Sequence, residues 1–210
     1  MKYVVADGQP AMAMLVERLL MNVRISVADE IHTVQSGERL LEVLIRSESQ
    51  ASIAILDPAI GALKRLALIR DLRERCPATR LIVYAAEESP FLATRIIAEG
   101  VRGYVFKTSP TRTLIRAVKQ VQADDTFYDP RIDFQRAKTD PWSSLTPKQQ
   151  EVCLLVLRHG SIRRVAESEK RNYDTIWTHW SNAKKALGLR HEAELAKHFY
   201  EKGLMHLLDD

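Results

Sequence analysis

Through residue 123 the chain alternates short apolar runs with stretches of helical periodicity. Residues 3–6, 25–28, 53–56, 81–84 and 104–106 are mostly apolar and too short for helices, so each predicts a strand. Between them, residues 11–21, 37–46, 63–75, 90–99 and 111–123 repeat apolar positions at helical spacing, as with Leu40, Leu41, Leu44 and Ile45 on one stripe. Pro77 stops the third of these helices and Gly100 the fourth. Strands that alternate with helices of this length imply right-handed crossovers and a parallel sheet covered on both faces. Five such units predict a doubly wound α/β domain over residues 1–123.

The pattern then changes. Residues 124–144 hold Asp124, Asp125, Asp129, Pro130, Asp133, Asp140 and Pro141, and read as a polar linker. From residue 145 to 210 the periodicity is helical only, over 147–158, 162–169, 173–187 and 192–202. Thr146 is placed as an N-cap with Pro147 in the first turn, and Gly160 follows the first helix. The tight turn between the second and third helices suggests a helix-turn-helix unit.

Composition changes this picture little. With 210 residues, 46% hydrophobic and 28% charged, the chain suits two modest globular domains. No apolar run reaches the roughly 20 residues of a membrane span. Lys2 leads directly into a strand-like run, without the layout of a signal peptide. Cys76 and Cys153 stand far apart and read as buried thiols of a cytoplasmic protein. Net charge is only +4, but residues 145–190 carry nine basic and four acidic side chains, a local excess of five. Such a patch suits nucleic acid or a solvated helix face. The six histidines are scattered, with no nucleophile–base pair, phosphate loop or metal cluster, so an enzyme is not expected and no catalytic residue is assigned.

The chemistry that stands out lies at the strand ends. Asp7, Asp57 and Lys107 each follow an apolar run, and open α/β sheets bind ligands at the carboxyl ends of their strands. Two carboxylates and a lysine at one edge would form a magnesium-assisted phospho-acceptor site, with cations offsetting charge on the transferred group.

These residues, with Ala6-Asp7 before Pro10, Leu56-Asp57 and Gly103-Tyr104-Val105-Phe106-Lys107, carry a family resemblance. The second half adds Leu145-Thr146-Pro147-Lys148-Gln149-Gln150-Glu151-Val152, Gly160, Ala166-Glu167, Thr175-Ile176, Thr178-His179, Ser181-Asn182 and Leu187-Gly188. The chain resembles two-component response regulators of the NarL/FixJ type. The resemblance implies a flavodoxin-like (βα)5 receiver with sheet order 2-1-3-4-5, followed by a four-helix LuxR-type DNA-binding domain. It implies Asp57 as phospho-acceptor, Asp7 and the Ala59 carbonyl as further magnesium ligands, Lys107 as phosphoryl clamp and Tyr104 as switch aromatic.

Several positions depart from the family's pattern. Gly8 stands where a second acid is usual, and Ala85 where a serine or threonine is usual, so magnesium would be weakly held and the phosphoryl group would lack a hydroxyl partner. Pro58 follows the acceptor, and the next loop reads Ile60-Gly61-Ala62-Leu63-Lys64-Arg65. Two readings follow: a working receiver phosphorylated at Asp57, or an atypical receiver that requires no cofactor and serves dimerisation or another signal input.

For the second domain the resemblance places Trp177, Thr178 and Ser181 toward the major groove, with Asp174 and Thr175 at the start of the same helix and Thr175 and Asn182 as further DNA-binding candidates. Lys184 and Lys185, one turn further on, suit contacts to the DNA backbone, as do Arg163 and Arg164 at the start of the preceding helix. Trp177 replaces a usual lysine, Trp180 a smaller apolar residue, and Glu169 with Arg171 the usual apolar pair beside the turn. Trp180 also fits a plain core position, and Lys184 and Lys185 a solvated face. On the last helix Leu195, Ala196, Phe199 and Tyr200 suit either a subunit seam or the domain's own core. The leading expectation is a promoter-binding transcriptional regulator, acting as a homodimer or as a heterodimer with another response regulator, with no membrane contact. The alternative is an interaction partner that titrates another regulator without binding DNA. The operator and any cognate sensor kinase are not specified by the sequence.

Overall fold

A computed structural model describes residues 1–23, 30–46, 52–60 and 65–208. In chain order they form β1 (Lys2–Ala6), α1 (Pro10–Val23), β2 (Glu30–Val34), α2 (Gly37–Ile45), β3 (Ser52–Leu56), α3 (Arg65–Arg75), β4 (Arg80–Ala85), α4 (Pro90–Ala98), β5 (Gly103–Phe106) and α5 (Thr111–Gln122). Then come β6 (Phe127–Tyr128), α6 (Phe134–Thr139), α7 (Pro141–Ser144), α8 (Pro147–His159), α9 (Ile162–Ser168), α10 (Tyr173–Leu187), α11 (Glu194–Lys202) and a 3-10 turn at Met205–Leu208. The chain divides into two compact units, residues 1–88 with 93–132, and residues 89–92 with 133–209.

In the first unit six parallel strands follow the order β2-β1-β3-β4-β5-β6, the expected 2-1-3-4-5 arrangement with one strand added. Strand residues alternate between faces. Tyr3, Val5, Ile53, Ile55, Ile82 and Val105 pack with Ala13, Val16 and Leu20 of α1 and Leu114, Val118 and Val121 of α5. The alternate set, including Val4, Ala54, Leu56 and Val83, is equally buried, with α2 against β1. Burial on both faces is why these strands read as continuous apolar runs rather than as alternating ones.

Two elements differ from the sequence reading. The strand expected at residues 25–28 lies outside the described residues, and the partner of β1 is Glu30–Val34, in register Lys2↔Glu30 to Ala6↔Val34. Residues 124–144, read as a polar linker, hold β6, α6 and α7. β6 extends the sheet beside β5, with Gly103↔Phe127 and Tyr104↔Tyr128 in register. The physical reason is the otherwise open edge of β5, whose backbone groups need partners. Residues 61–64, which include most of the loop after Asp57 and the expected start of α3, are also outside the described residues.

The second unit is helical. Its helix starts are written locally in the sequence. Thr146 and Gln149 form a capping box on α8, Ser161 caps α9, and the Asn172 side chain accepts from the backbone N–H groups of Asp174 and Thr175 to cap α10. Gly160 ends α8 at φ 85°, a left-handed conformation that residues with a Cβ rarely adopt. Trp142, Val152, Cys153, Val156, Val165, Ile176, Trp180, Leu195 and Phe199 share one core, in which Trp142 meets Phe199 edge to face at 4.9 Å between ring centres. The last helix begins at Glu194, two residues later than expected. Its Leu195 and Phe199 face this core, while Ala196 and Tyr200 are exposed.

Candidate functional site

The sheet's backbone ladder continues one residue past three strands. Asp7 N–H donates to Val34 O, Asp57 N–H to Ala6 O, and Lys107 N–H to Ala85 O. These three residues therefore leave the sheet at the same edge, and their side chains meet there. Lys107 Nζ lies 2.5 Å from Asp7 Oδ2 and 2.6 Å from Asp57 Oδ2. The three side chains are 9, 4 and 12% exposed for Lys107, Asp7 and Asp57 respectively. Burial pulls the Lys107 pKa down, but hydrogen bonds and charge from Asp57 and Asp7 outweigh it, and the net value is raised. The lysine therefore stays a cation and closes the site on itself.

The remaining carboxylate oxygens are also engaged. Asp7 Oδ1 accepts from Gln9 N–H at 2.9 Å, and Asp57 Oδ1 from Ala59 N–H at 2.8 Å. Magnesium demands near-octahedral oxygen ligands. Here two carboxylates, each with both oxygens already hydrogen-bonded, and glycine at position 8 give this edge one carboxylate fewer than the family pattern to offer that ion. Among the described residues, no group of three or more His, Cys, Asp or Glu side chains is placed to hold a metal. A Cβ built on Gly8 would meet nothing within 4 Å, so space does not exclude an acid there.

Tyr104 is fully buried and meets Phe106 edge to face, with ring centres 5.6 Å apart. Its hydroxyl has no hydrogen-bond partner among the described residues, and burial pushes its pKa well above the ordinary tyrosine value. Ala85 is also fully buried and offers only a methyl group. The structure also reveals polar residues that the sequence reading left aside. Arg65 pairs with Glu87. Arg131 forks onto both oxygens of Glu88 at 2.8 Å. Asp129, at 1% exposure, accepts from Phe106 N–H, Ser109 Oγ and Arg131 N–H. The aromatic pair Phe127-Tyr128 directly before Asp129-Pro130 was the one available signal for this anchor.

In the helical unit, α9 and α10 are joined by a short turn with Lys170 at φ 50°. At the turn Arg171 forms an ion pair with Glu151 at 2.7 Å, and His159 Nε2 lies 3.7 Å from Glu169 Oε1. The expected nucleic-acid residues lie on two helices. Arg163 and Arg164 are exposed on α9; Thr175, Trp177, Thr178, Asn182 and Lys185 are exposed on α10, with Ser181 and Lys184 half-buried. Trp177 is 52% exposed, whereas Trp180 is 3% exposed and belongs to the core. Trp177, Ser181 and Lys184 border an open cleft of about 420 Å³ with Ile162 and Arg190. The two sets, Asp7–Asp57–Lys107 and the outer face of α10, lie in different units.

A parallel sheet of order 2-1-3-4-5 with an Asp–Asp–Lys constellation at its carboxyl edge defines a receiver domain. The chain belongs to the response regulator receiver domain family, whose profile matches residues 4–119. Among curated proteins it is similar to the oxygen regulatory protein NreC of Staphylococcus carnosus, 22% identical over 145 residues, covering 63% of this chain and 67% of that protein. The transcriptional regulatory protein MctR of Rhizobium johnstonii is 22% identical over 159 residues, covering 73% of each chain. Among solved structures, RcsB from Salmonella enterica serovar Typhimurium, bound to a promoter in the presence of phosphomimetic BeF3−, aligns with TM-score 0.69 at 19% identity. That alignment covers 95% of this chain and 97% of that one. A structure of two RcsB dimers on two parallel DNAs aligns with TM-score 0.66, again at 19% identity, over 95% and 98% of the two chains. At this identity these structures share the fold.

Proposed function

We propose that the chain is a transcriptional regulator that binds promoter DNA through its helical unit as a dimer, under a receiver that does not use conventional phosphorylation. The observation that carries the DNA part is the outer face of α10. This helix follows α9 across a short turn, is capped by Asn172, exposes Trp177, Thr178 and Asn182, and carries Lys184 and Lys185 in its last turn, within a segment carrying five excess positive charges. RcsB has been solved on DNA as dimers, and MctR carries the name of a transcriptional regulatory protein, which supports the same reading. For the receiver, support comes from Lys107 held between Asp7 and Asp57, from Gly8 and Ala85, and from the orphan hydroxyl of Tyr104. Such an edge offers an incoming phosphoryl group one cation that is already engaged. The receiver then serves dimerisation or another input, with a homodimer or a pair with another response regulator as the working assembly.

The feature that favours the alternative, an interaction protein without DNA binding, is Glu169 with Arg171, charged where the turn usually buries apolar residues. Arg171 pairs with Glu151, Glu169 lies beside His159, and the turn between α9 and α10 is formed, which weakens that alternative. Gel shifts with genomic fragments test the choice. A regulator gives specific shifts near ~10⁻⁸ M. Replacing both Lys184 and Lys185 by alanine lowers the log–log salt slope by about two on every sequence, whereas Thr178→Ala changes base preference. Only weak, sequence-independent shifts that salt abolishes would sink the proposal.

A further inference from the structure

Residues 173–183 of α10 contain no arginine or lysine. The commonest specific contact in the major groove, a bidentate Arg or Lys on guanine O6 and N7, is therefore missing from the part of the helix that enters first. What the helix exposes there is Tyr173, Asp174, Thr175, Trp177, Thr178 and Asn182, of which only Asp174 is charged. Trp177 stands half out of the fold although its neighbour Trp180 is buried. Thr178 donates its hydroxyl proton to Asp174 O at 2.8 Å, one turn back on its own helix, so its outward offer is a methyl group and an acceptor lone pair. Asn182 is exposed one turn further, and an asparagine amide matches adenine N6 and N7 bidentately. Lys184 and Lys185 come only at the last turn, where they suit phosphates.

We infer that α10 reads A·T pairs: the Trp177 indole and the Thr178 methyl pack on thymine C5-methyl groups, and Asn182 bonds adenine. The inference rests on the duplex-binding reading above and goes beyond it by naming the bases. The indole and methyl carry no charge to offer guanine, so discrimination at their positions arises from burying thymine methyls. A guanine at the Asn182 position would meet an amide suited to the adenine pattern.

Selection of the full chain on a pool of randomised duplexes at physiological salt gives the first test, and replacing single thymines by uracil in the selected duplex gives the second. Uracil differs from thymine only in lacking the methyl group. The expected result is a half-site with adjacent A·T pairs, and a loss of about fourfold in affinity per critical uracil, the value of one buried methyl. That loss disappears in Trp177→Ala, whose side chain is exposed and whose fold is checked by thermal melting. Asn182→Ala relaxes the preference for adenine at one position. Selected G·C pairs at the positions altered by these two variants, or full tolerance of uracil, overturn the inference. Those two results overturn it alone; equal, salt-sensitive binding of all duplexes, or no duplex binding at all, overturns it together with the promoter-binding reading.

Discussion

Lys107 Nζ stands 2.6 Å from Asp57 Oδ2, and the same nitrogen holds Asp7 Oδ2 on its other side. One cation thus separates two carboxylates that are nearly withdrawn from solvent. Removing it leaves two like charges facing each other in a poorly solvated place. Lys107→Met is expected to destabilise the receiver by about 3 kcal/mol, the cost of leaving buried charges unpaired. Asp57→Asn costs less, because Lys107 keeps Asp7. Urea unfolding of both variants checks this ordering, and a Lys107→Met chain as stable as the native one contradicts it.

The open space around Gly8 allows a gain-of-function test. The native chain is expected to show no magnesium-dependent mobility shift with acetyl phosphate on a phosphate-affinity gel. Gly8→Asp adds a carboxylate beside Asp7 and is expected to raise magnesium affinity in calorimetric titration, since charge and ligand number set the hold on this ion. A strong shift in the native chain that Asp57→Asn abolishes would show that the receiver works conventionally.

Asp129 fastens β6 to the sheet through Phe106 N–H, Ser109 Oγ at 2.5 Å and Arg131 N–H at 3.0 Å. Asp129→Ala strands these donors in a buried place. A loss of about 3 kcal/mol is expected, with faster hydrogen exchange at the amides of Phe127 and Asp129, which donate to Arg102 O and Tyr104 O. Unchanged exchange at those two amides would show that β6 holds without this anchor.

His198 gives the helical unit a pH dependence. Burial lowers its pKa below the ordinary 6.5, with Asp140 opposing, Lys202 adding to the decrease and Glu201 opposing. Its Nε2 is buried without a partner among the described residues. Between the lowered folded value and 6.5 the unfolded chain binds a proton that the folded one does not. Stability is therefore present above 6.5 and is lost as pH falls below it. All three tryptophans, Trp142, Trp177 and Trp180, lie in this unit, so their fluorescence reports its unfolding. The midpoint is expected to fall between about pH 7 and about pH 5. In His198→Leu the slope over that interval flattens, and an unchanged slope would assign the effect to other groups.

Local pattern in the sequence was enough for the alternation of strands and helices, for the order of the first five strands through the resemblance, and for the caps Thr146 and Gly160. These depend on windows of a few residues: apolar runs, helical spacing, and side chains that bond their own backbone. The meeting of Asp7, Asp57 and Lys107 was also legible, because a parallel sheet carries the residue after each strand to the same edge. Contacts between residues far apart in sequence were decided by the tertiary structure. Phe127 and Tyr128 are too few to show a period and became a strand because β5 offered unpaired backbone beside them. Trp177 and Trp180 are three residues apart on one helix, yet only packing against α8 and α9 put the second in the core and left the first outside. Glu151 and Arg171 look like misplaced charges along the chain and are partners in space. A sequence window reports what a segment prefers by itself, while pairing across twenty to a hundred residues depends on which surfaces remain open once the chain has closed.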